Sequence, residues 1–219
     1  LTVLGVGMPI IHDGHFRLHK LPMGPYDNNA YIISNPTQQE CYIVDVPDNP
    51  TAILKEIGNY TVKGILITHN HFDHLVGLAD VKKATEAPIW THEADKHSLF
   101  DKDNVLEQGM TLLLGSIELQ VFHTPGHTQG SVCFLADNHL ISGDTIFPGG
   151  PGRTNSPSDF AQIVSSIKNL LLTIGNDITV YPGHGSNTTI SDTRKELAIF
   201  ERNSHSPSLC GDVQWITGA

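Results

Sequence analysis

Cysteine is scarce in this 219-residue chain: Cys41, Cys133 and Cys210 are the only three, and no two are spaced as Cys-x-x-Cys. That excludes a disulfide framework and suits a reducing, cytoplasmic setting. Cys41 and Cys133 lie in apolar, strand-like surroundings, where a thiol serves as inert packing. Basic charge is also short, with 13 Lys and Arg against 23 Asp and Glu and a net charge of −10 with His neutral. Nucleic acid is therefore a poor partner, because a phosphate backbone needs Lys and Arg to displace its counterions. No apolar run approaches the roughly 18 residues of a membrane span, so a soluble protein acting on a small molecule, with no membrane partner, is expected. No repeat, low-complexity tract or dividing linker interrupts the chain, and residues 1–219 are read as one domain. No secretory leader pattern is visible, although the chain opens on Leu1 rather than Met, which leaves room for a removed segment. Oligomeric state leaves no trace in the sequence.

Histidine, by contrast, is abundant, with 13 residues. Between Thr68 and Leu75 the chain reads Thr-His-Asn-His-Phe-Asp-His-Leu, directly after the apolar run Gly64–Ile67. If an extended backbone continues through the motif, His69, His71 and Asp73 share one side and His74 takes the other. If it turns at about Asp73, where a helical spacing begins, Asp73 and His74 swing together toward a second point nearby. One short segment then serves two adjacent metals.

Three more donors occur in one recurring setting: an apolar strand-like run, a turn former, then the donor. Gln120–Phe122 leads through Thr124-Pro125-Gly126 to His127, His139–Ile141 through Ser142-Gly143 to Asp144, and Ile178–Tyr181 through Pro182-Gly183 to His184. Pro and Gly turn the chain at each strand end and present the side chain beyond the sheet edge. Five imidazoles and two carboxylates exceed the four ligands of one tetrahedral zinc, so they divide between two ions. The expected partition gives the first metal His69, His71 and His127, gives the second Asp73, His74 and His184, and lets Asp144 bridge. Two zinc ions are the expected cofactors, with iron or manganese as substitutes.

The succession HxHxDH, TPGHT, SGDT and YPGHG, spread over roughly Asn28 to His184, resembles the metallo-β-lactamase-fold superfamily and most closely its glyoxalase II-like branch. The resemblance implies a four-layer αββα sandwich, two mixed sheets flanked by helices, with the metals at one end of the sheets. It also implies that Asp45, at the end of the Tyr42-Ile43-Val44 run, stands behind a ligating histidine. Asn28, in Asp27-Asn28-Asn29-Ala30-Tyr31, is expected to fix a turn. Arg153, in a segment similar to the branch's GGxGR, is expected to anchor its loop rather than meet substrate. Asp144 in the bridging position resembles glyoxalase II, lactonase and thioesterase relatives rather than true β-lactamases. Too few residues follow His184 for the helical domain that supplies much of the glutathione contact in glyoxalase II.

The coarse pattern agrees with a mixed fold. Strand-like runs fall at 30–33, 41–46, 64–67, 110–114, 117–122, 132–135, 139–141 and 178–181. Helical spacing falls at 51–57, 75–84, 93–100, 159–172 and 192–201, the fourth with Ser158 as its N-cap. His12, His15, His19, His92, His97, His139 and His205 read as solvated loop or strand residues, and His123 as packing or a hydrogen bond.

Two close cations lower the pKa of bound water to about 7 and polarise a carbonyl, which suits hydrolysis. The leading expectation is hydrolysis of a thioester or ester by a metal-bridging hydroxide, with Asp73 as the catalytic residue that orients it. A persulfide dioxygenase holding a single iron is the alternative, since ligand presence does not dictate metal identity. A lactonase of the same fold is a third reading and a non-catalytic metal-binding module a fourth.

Overall fold

The computed structural model describes residues 10–98 and 103–216. Seven strands form the first sheet in chain order: β1 (Ile10–Asp13), β2 (Arg17–Met23), β3 (Asn28–Asn35), β4 (Glu40–Val44), β5 (Thr61–Leu66), β6 (Ile89–His92) and β7 (Asn104–Leu106). The strands from β1 to β4 are antiparallel and those from β4 to β7 parallel. Helices α1 (Thr51–Ile57) and α2 (Leu78–Thr85) are inserted on either side of β5. The second sheet contains β8 (Thr111–Leu114), β9 (Ile117–His123), β10 (Val132–Ala136), β11 (His139–Gly143), β14 (Thr179–Pro182) and β15 (Thr188–Thr189), with only the β11–β14 pair parallel. A small ribbon, β12 (Ile146–Phe147) with β13 (Gly150–Pro151), precedes α3 (Pro157–Thr173), and α4 (Ile190–Glu201) follows β15.

Side-chain alternation shows why these pieces stack in four layers. On β3, Ala30 and Ile32 join Ile53 and Ile57 of α1 and Val81 of α2, whereas Tyr31 and Ile33 turn into the space between the sheets. On β10, Val132 and Phe134 enter that same space, while Cys133 and Leu135 meet Ile163 and Ile167 of α3 and Leu197 of α4. Sheets apolar on both faces need a cover on each side, and the amphipathic helices supply it. Every fully buried Leu, Ile or Phe contributes about 1.5–3 kcal/mol to that arrangement. The αββα sandwich expected from the motifs is the fold observed. Burial also pushes the Cys41 thiol up to about 12 and Cys133 up to about 11, so both are inert packing.

Several expected boundaries differ. β5 ends at Leu66, and the motif does not continue as a strand but closes in a 3₁₀ turn at Phe72–His74. α2 begins at Leu78 rather than Leu75. The N-cap of α3 is Ser156, which accepts from the Asp159 N–H, with Pro157 in the first turn; Ser158 lies inside the helix. The expected helix at 93–100 is a 3₁₀ segment, Glu93–Ser98, and its last positions lie outside the described residues. β1 and β2 escape a hydropathy reading because His12, Arg17, His19 and Lys20 interleave with Leu18 and Leu21. Two histidines expected to be solvated are buried: His19 pairs with Glu56 at 2.8 Å, and His139 contacts the Tyr181 hydroxyl at 2.8 Å. His92 stacks on His123 at 3.8 Å and His205 on Phe200 at 3.7 Å, while His97 lies outside the residues whose side chains are described.

Candidate metal centre

The first sheet contributes through the carboxyl ends of its parallel strands, where loops are free to converge. β4 runs into Asp45 and β5 into Thr68, His69 and His71, and the 3₁₀ turn then brings Asp73 and His74 round together. From the second sheet, the loop after β9 delivers His127, the end of β11 delivers Asp144, and the end of β14 delivers His184. Close approach at this junction depends on glycine. A Cβ on Gly183 would lie 2.2 Å from Asp144 Oδ1, and Gly143 turns at φ +48° with no room for a side chain against Thr68.

All seven expected donors meet. They form three overlapping groups, His69–His71–His127, His69–His74–Asp144 and Asp73–His74–His184, each with donor atoms within 4.8 Å of one another. His127 Nε2 is 2.9 Å from His71 Nδ1, and His74 Nε2 is 3.1 Å from His184 Nε2. Asp144 lies between the clusters, with Oδ2 3.5 Å from His127 Nε2 and 3.4 Å from His184 Nε2, and Oδ1 3.5 Å from His74 Nε2. Asp73 Oδ2 stands 3.3 Å from His184 Nε2 and 3.8 Å from His74 Nε2.

The outer nitrogens fix the tautomers. His127 Nδ1–H donates to the Arg153 carbonyl and His184 Nδ1–H to the Tyr26 carbonyl, both at 2.8 Å. His74 Nδ1–H donates to Asp45 Oδ2 at 3.0 Å. Asp45 also accepts from the Thr68 hydroxyl at 2.6 Å, which leaves Thr68 Oγ1 to accept from His69 Nδ1–H at 3.0 Å. On these four rings Nε2 faces inward and offers its lone pair once it carries no proton, the arrangement that metal-ligating histidines require, while His71 turns its Nδ1 inward. The buried His69 Nε2 and Asp144 Oδ1 have no hydrogen-bond partner among the described residues. An unsatisfied buried polar atom costs about 1–3 kcal/mol, and cations between the rings would satisfy both atoms. The donor set fits metal ions.

Charge reinforces that fit. Burial, aided by His74, holds the His69 imidazole well below its ordinary value, and burial with His127 lowers His71. Burial opposes charge on His74 and His184, but hydrogen bonds and charge from Asp45 and Asp144 respectively prevail, raising His74 and lifting His184 to about 9. Burial likewise opposes the Asp144 carboxylate, yet His184 and the imidazoles around it hold it well below the usual range. A cation entering the site displaces the second proton of His184 and meets a carboxylate already ionised.

Two expectations change. Asn28 does not merely fix a turn: fully buried at the start of β3, its Nδ2–H donates to Asp73 Oδ2 at 3.0 Å and lies 3.4 Å from His184 Nε2. Asn29 does the pinning, donating to the carbonyls of Pro182 and Gly185. Arg153 anchors its loop through its backbone carbonyl, while its exposed side chain lines a groove of about 520 Å³ beside His127, Asp144 and His184. Tyr26, Phe147 and Asp212 border the same groove. A second cavity, of about 410 Å³ between β9 and α3, is lined by none of the seven donors.

The family model of the metallo-beta-lactamase superfamily matches residues 23–184. The chain belongs to the metallo-β-lactamase superfamily. Within the superfamily, the probable metallo-hydrolase YqgX of Bacillus subtilis (strain 168) is 32% identical, over 80% of this chain and 92% of that protein. Hydroxyacylglutathione hydrolase GloC of Haemophilus influenzae is 28% identical, over 84% of this chain and 98% of that protein. The crystal structure of BLEG-1, described as a B3 metallo-beta-lactamase, superposes with a TM-score of 0.74 at 29% identity, covering 81% of this chain and 96% of that one. The hydroxyacylglutathione hydrolase relatives put the chain in the glyoxalase II-like branch and make it an enzyme of this superfamily.

Proposed function

We propose that this metallo-β-lactamase-fold protein is a dinuclear hydrolase of thioesters or esters, of the hydroxyacylglutathione hydrolase type. The observation that carries the reading is the pair of three-donor clusters joined by one ionised carboxylate, Asp144. His69, His71 and His127 would hold one ion, Asp73, His74 and His184 the other, with zinc the metal we favour. When bound, the pair of ions supplies a water ionised near neutral pH and a Lewis acid for the carbonyl oxygen.

The chain's own residues do the rest. Asp73, whose side chain is 30% exposed against 10% for Asp144, is the more accessible of the two carboxylates. It accepts the proton of the attacking water while Asn28 holds Oδ2 in place. The water oxygen bonds to the acyl carbon, the C–S or C–O bond breaks, the leaving thiolate or alkoxide takes up a proton, and Asp73 gives its own proton back to solvent. The exposed Arg153 guanidinium can pair with a carboxylate on the leaving group, and the aromatic faces of Tyr26 and Phe147 offer apolar contact. Length does not oppose the reading, because the relative named GloC is matched over 98% of its own extent. Donors drawn from both sheets favour a single domain across residues 1–219, and three free cysteines suit a cytoplasmic setting.

The test pairs elemental analysis of protein expressed without added metal with assays on S-lactoylglutathione, an acyl-homoserine lactone, a β-lactam and glutathione persulfide. Two metals per chain and release of free thiol from the thioester are expected. One iron per chain with oxygen uptake on the persulfide would overturn the reading in favour of a dioxygenase. Turnover confined to the lactone or the β-lactam would replace the substrate class.

A further inference from the structure

Three parallel strands lie side by side in the first sheet, and their carboxyl ends carry Asp45 after β4, the His69–His71 loop after β5, and Asp95 after β6. Asp95 is 2% exposed. Its Oδ2 accepts from the Asn70 N–H at 3.0 Å and from the Thr128 hydroxyl at 2.7 Å, and its Oδ1 accepts from the Gly130 N–H at 2.8 Å. Asn70 sits between His69 and His71, and Thr128 follows His127. A Cβ on Gly130 would come within 2.4 Å of the Asp95 carboxyl carbon, so the two segments are packed as well as bonded.

We propose that Asp95 is the positioning residue of one metal alone, the ion held by His69, His71 and His127, because it clamps together the two loops that carry those three donors. The inference rests on the ligand partition given above. A buried carboxylate that accepts three hydrogen bonds is costly to place unless each donor is fixed; here Asn70 and Thr128 adjoin ligands of the same triad and Gly130 lies three residues beyond His127. Among the described residues, no hydrogen bond of Asp95 runs to the segments that carry His74 or His184. Asp45 does the corresponding work on the other side of β5, under His74. Asp45, however, also reaches His69 through the Thr68 hydroxyl, so of the two buried carboxylates only Asp95 is bonded to the segments of a single triad.

Asp95→Asn replaces one acceptor oxygen with an NH₂ that must face N–H or O–H donors, so one segment is released. Outer partners of metal ligands typically govern affinity by about 10- to 100-fold. Three readouts are taken on whole protein. They are stepwise zinc affinities by chelator competition, histidine ring NMR signals at one equivalent of zinc, and amide exchange at Asn70 and Gly130 in the metal-free protein. The expected result is one affinity lowered at least about tenfold, with the first equivalent of zinc shifting His74 and His184 rather than His71 and His127. Exchange at Asn70 and Gly130 accelerates while the β-sheet amides do not. Thr128→Val, which removes one hydroxyl with little change of shape, is expected to act in the same direction by a smaller factor and serves if Asp95→Asn fails to fold. Both affinities within twofold of wild type, or an equal fall in both, would overturn the assignment. If wild-type protein itself takes up no metal at these histidines, the ligand reading fails; if it takes up two and the variants match it, only the role of Asp95 fails.

Discussion

Asp45→Asn offers a clean perturbation because the backbone there has φ +57°, a left-handed conformation that Asn adopts as readily as Asp. The change therefore alters hydrogen bonding and charge without adding strain. Asp45 Oδ1 accepts from the Thr68 N–H at 2.8 Å, so the oxygen of the new amide must stay on that side. Its NH₂ then takes the place of Oδ2 and points at Thr68 Oγ1 and His74 Nδ1. His74 can only accept from it, which moves the ring proton to Nε2, the atom that faces His184 and Asp144. Binding a metal there now requires expelling that proton or losing the hydrogen bond. Outer-partner replacements of this kind cost about 10- to 100-fold in affinity, or about 1.4–2.7 kcal/mol. Chelator competition should show one zinc weakened by that factor, with far-UV circular dichroism unchanged. If both affinities stay within twofold of wild type, the tautomer argument for His74 is wrong.

Further outcomes follow from the same geometry. Gly183→Ala should displace Asp144, which a Cβ would approach to 2.2 Å, and lower metal content below two per chain while the protein stays folded; elemental analysis and circular dichroism check it. Asp73→Asn with both metals retained should cut turnover of the thioester by about 10²–10⁴, as expected for loss of a proton acceptor, and an unchanged rate would remove that role. Burial, and next the neighbouring His12, hold the His139 imidazole below its ordinary 6.5 against a smaller pull from Asp137. The unfolded chain is thus protonated first, so this contribution to stability is intact above about pH 6.5 and is lost as pH falls through the lower folded value. Denaturant midpoints at pH 7.5 and 5.5 should fall further in wild type than in His139→Phe, and equal falls would contradict the assignment.

The donors were legible because each is local to its motif: a strand end, a Pro or Gly turn, then His127, Asp144 or His184. The layered fold was legible through the family likeness and the alternation on strands such as β3 and β10. The path of the HxHxDH segment was less so. Strand parity groups Asp73 with His69 and His71, whereas the alternative of a turn near Asp73 gives the grouping with His74 and His184 that is observed, by way of a 3₁₀ turn at Phe72–His74 rather than an α-helix start. Hydropathy also missed β1 and β2, whose polar residues interleave with apolar ones, and it misread His19 and His139, which tertiary packing buries. Asp95 and the Asn28–Asp73 contact had no sequence signal at all. Each depends on distant segments meeting, Asp95 with Gly130 and Asn28 with His184, and no local spacing encodes that.

Anomalous diffraction from crystals of protein purified without added metal tests the central claim most directly. The account predicts two peaks per chain roughly 3.5–4 Å apart, one among His69, His71 and His127, the other among Asp73, His74 and His184, with Asp144 touching both. A single peak, or metal bound away from these seven side chains, would contradict it.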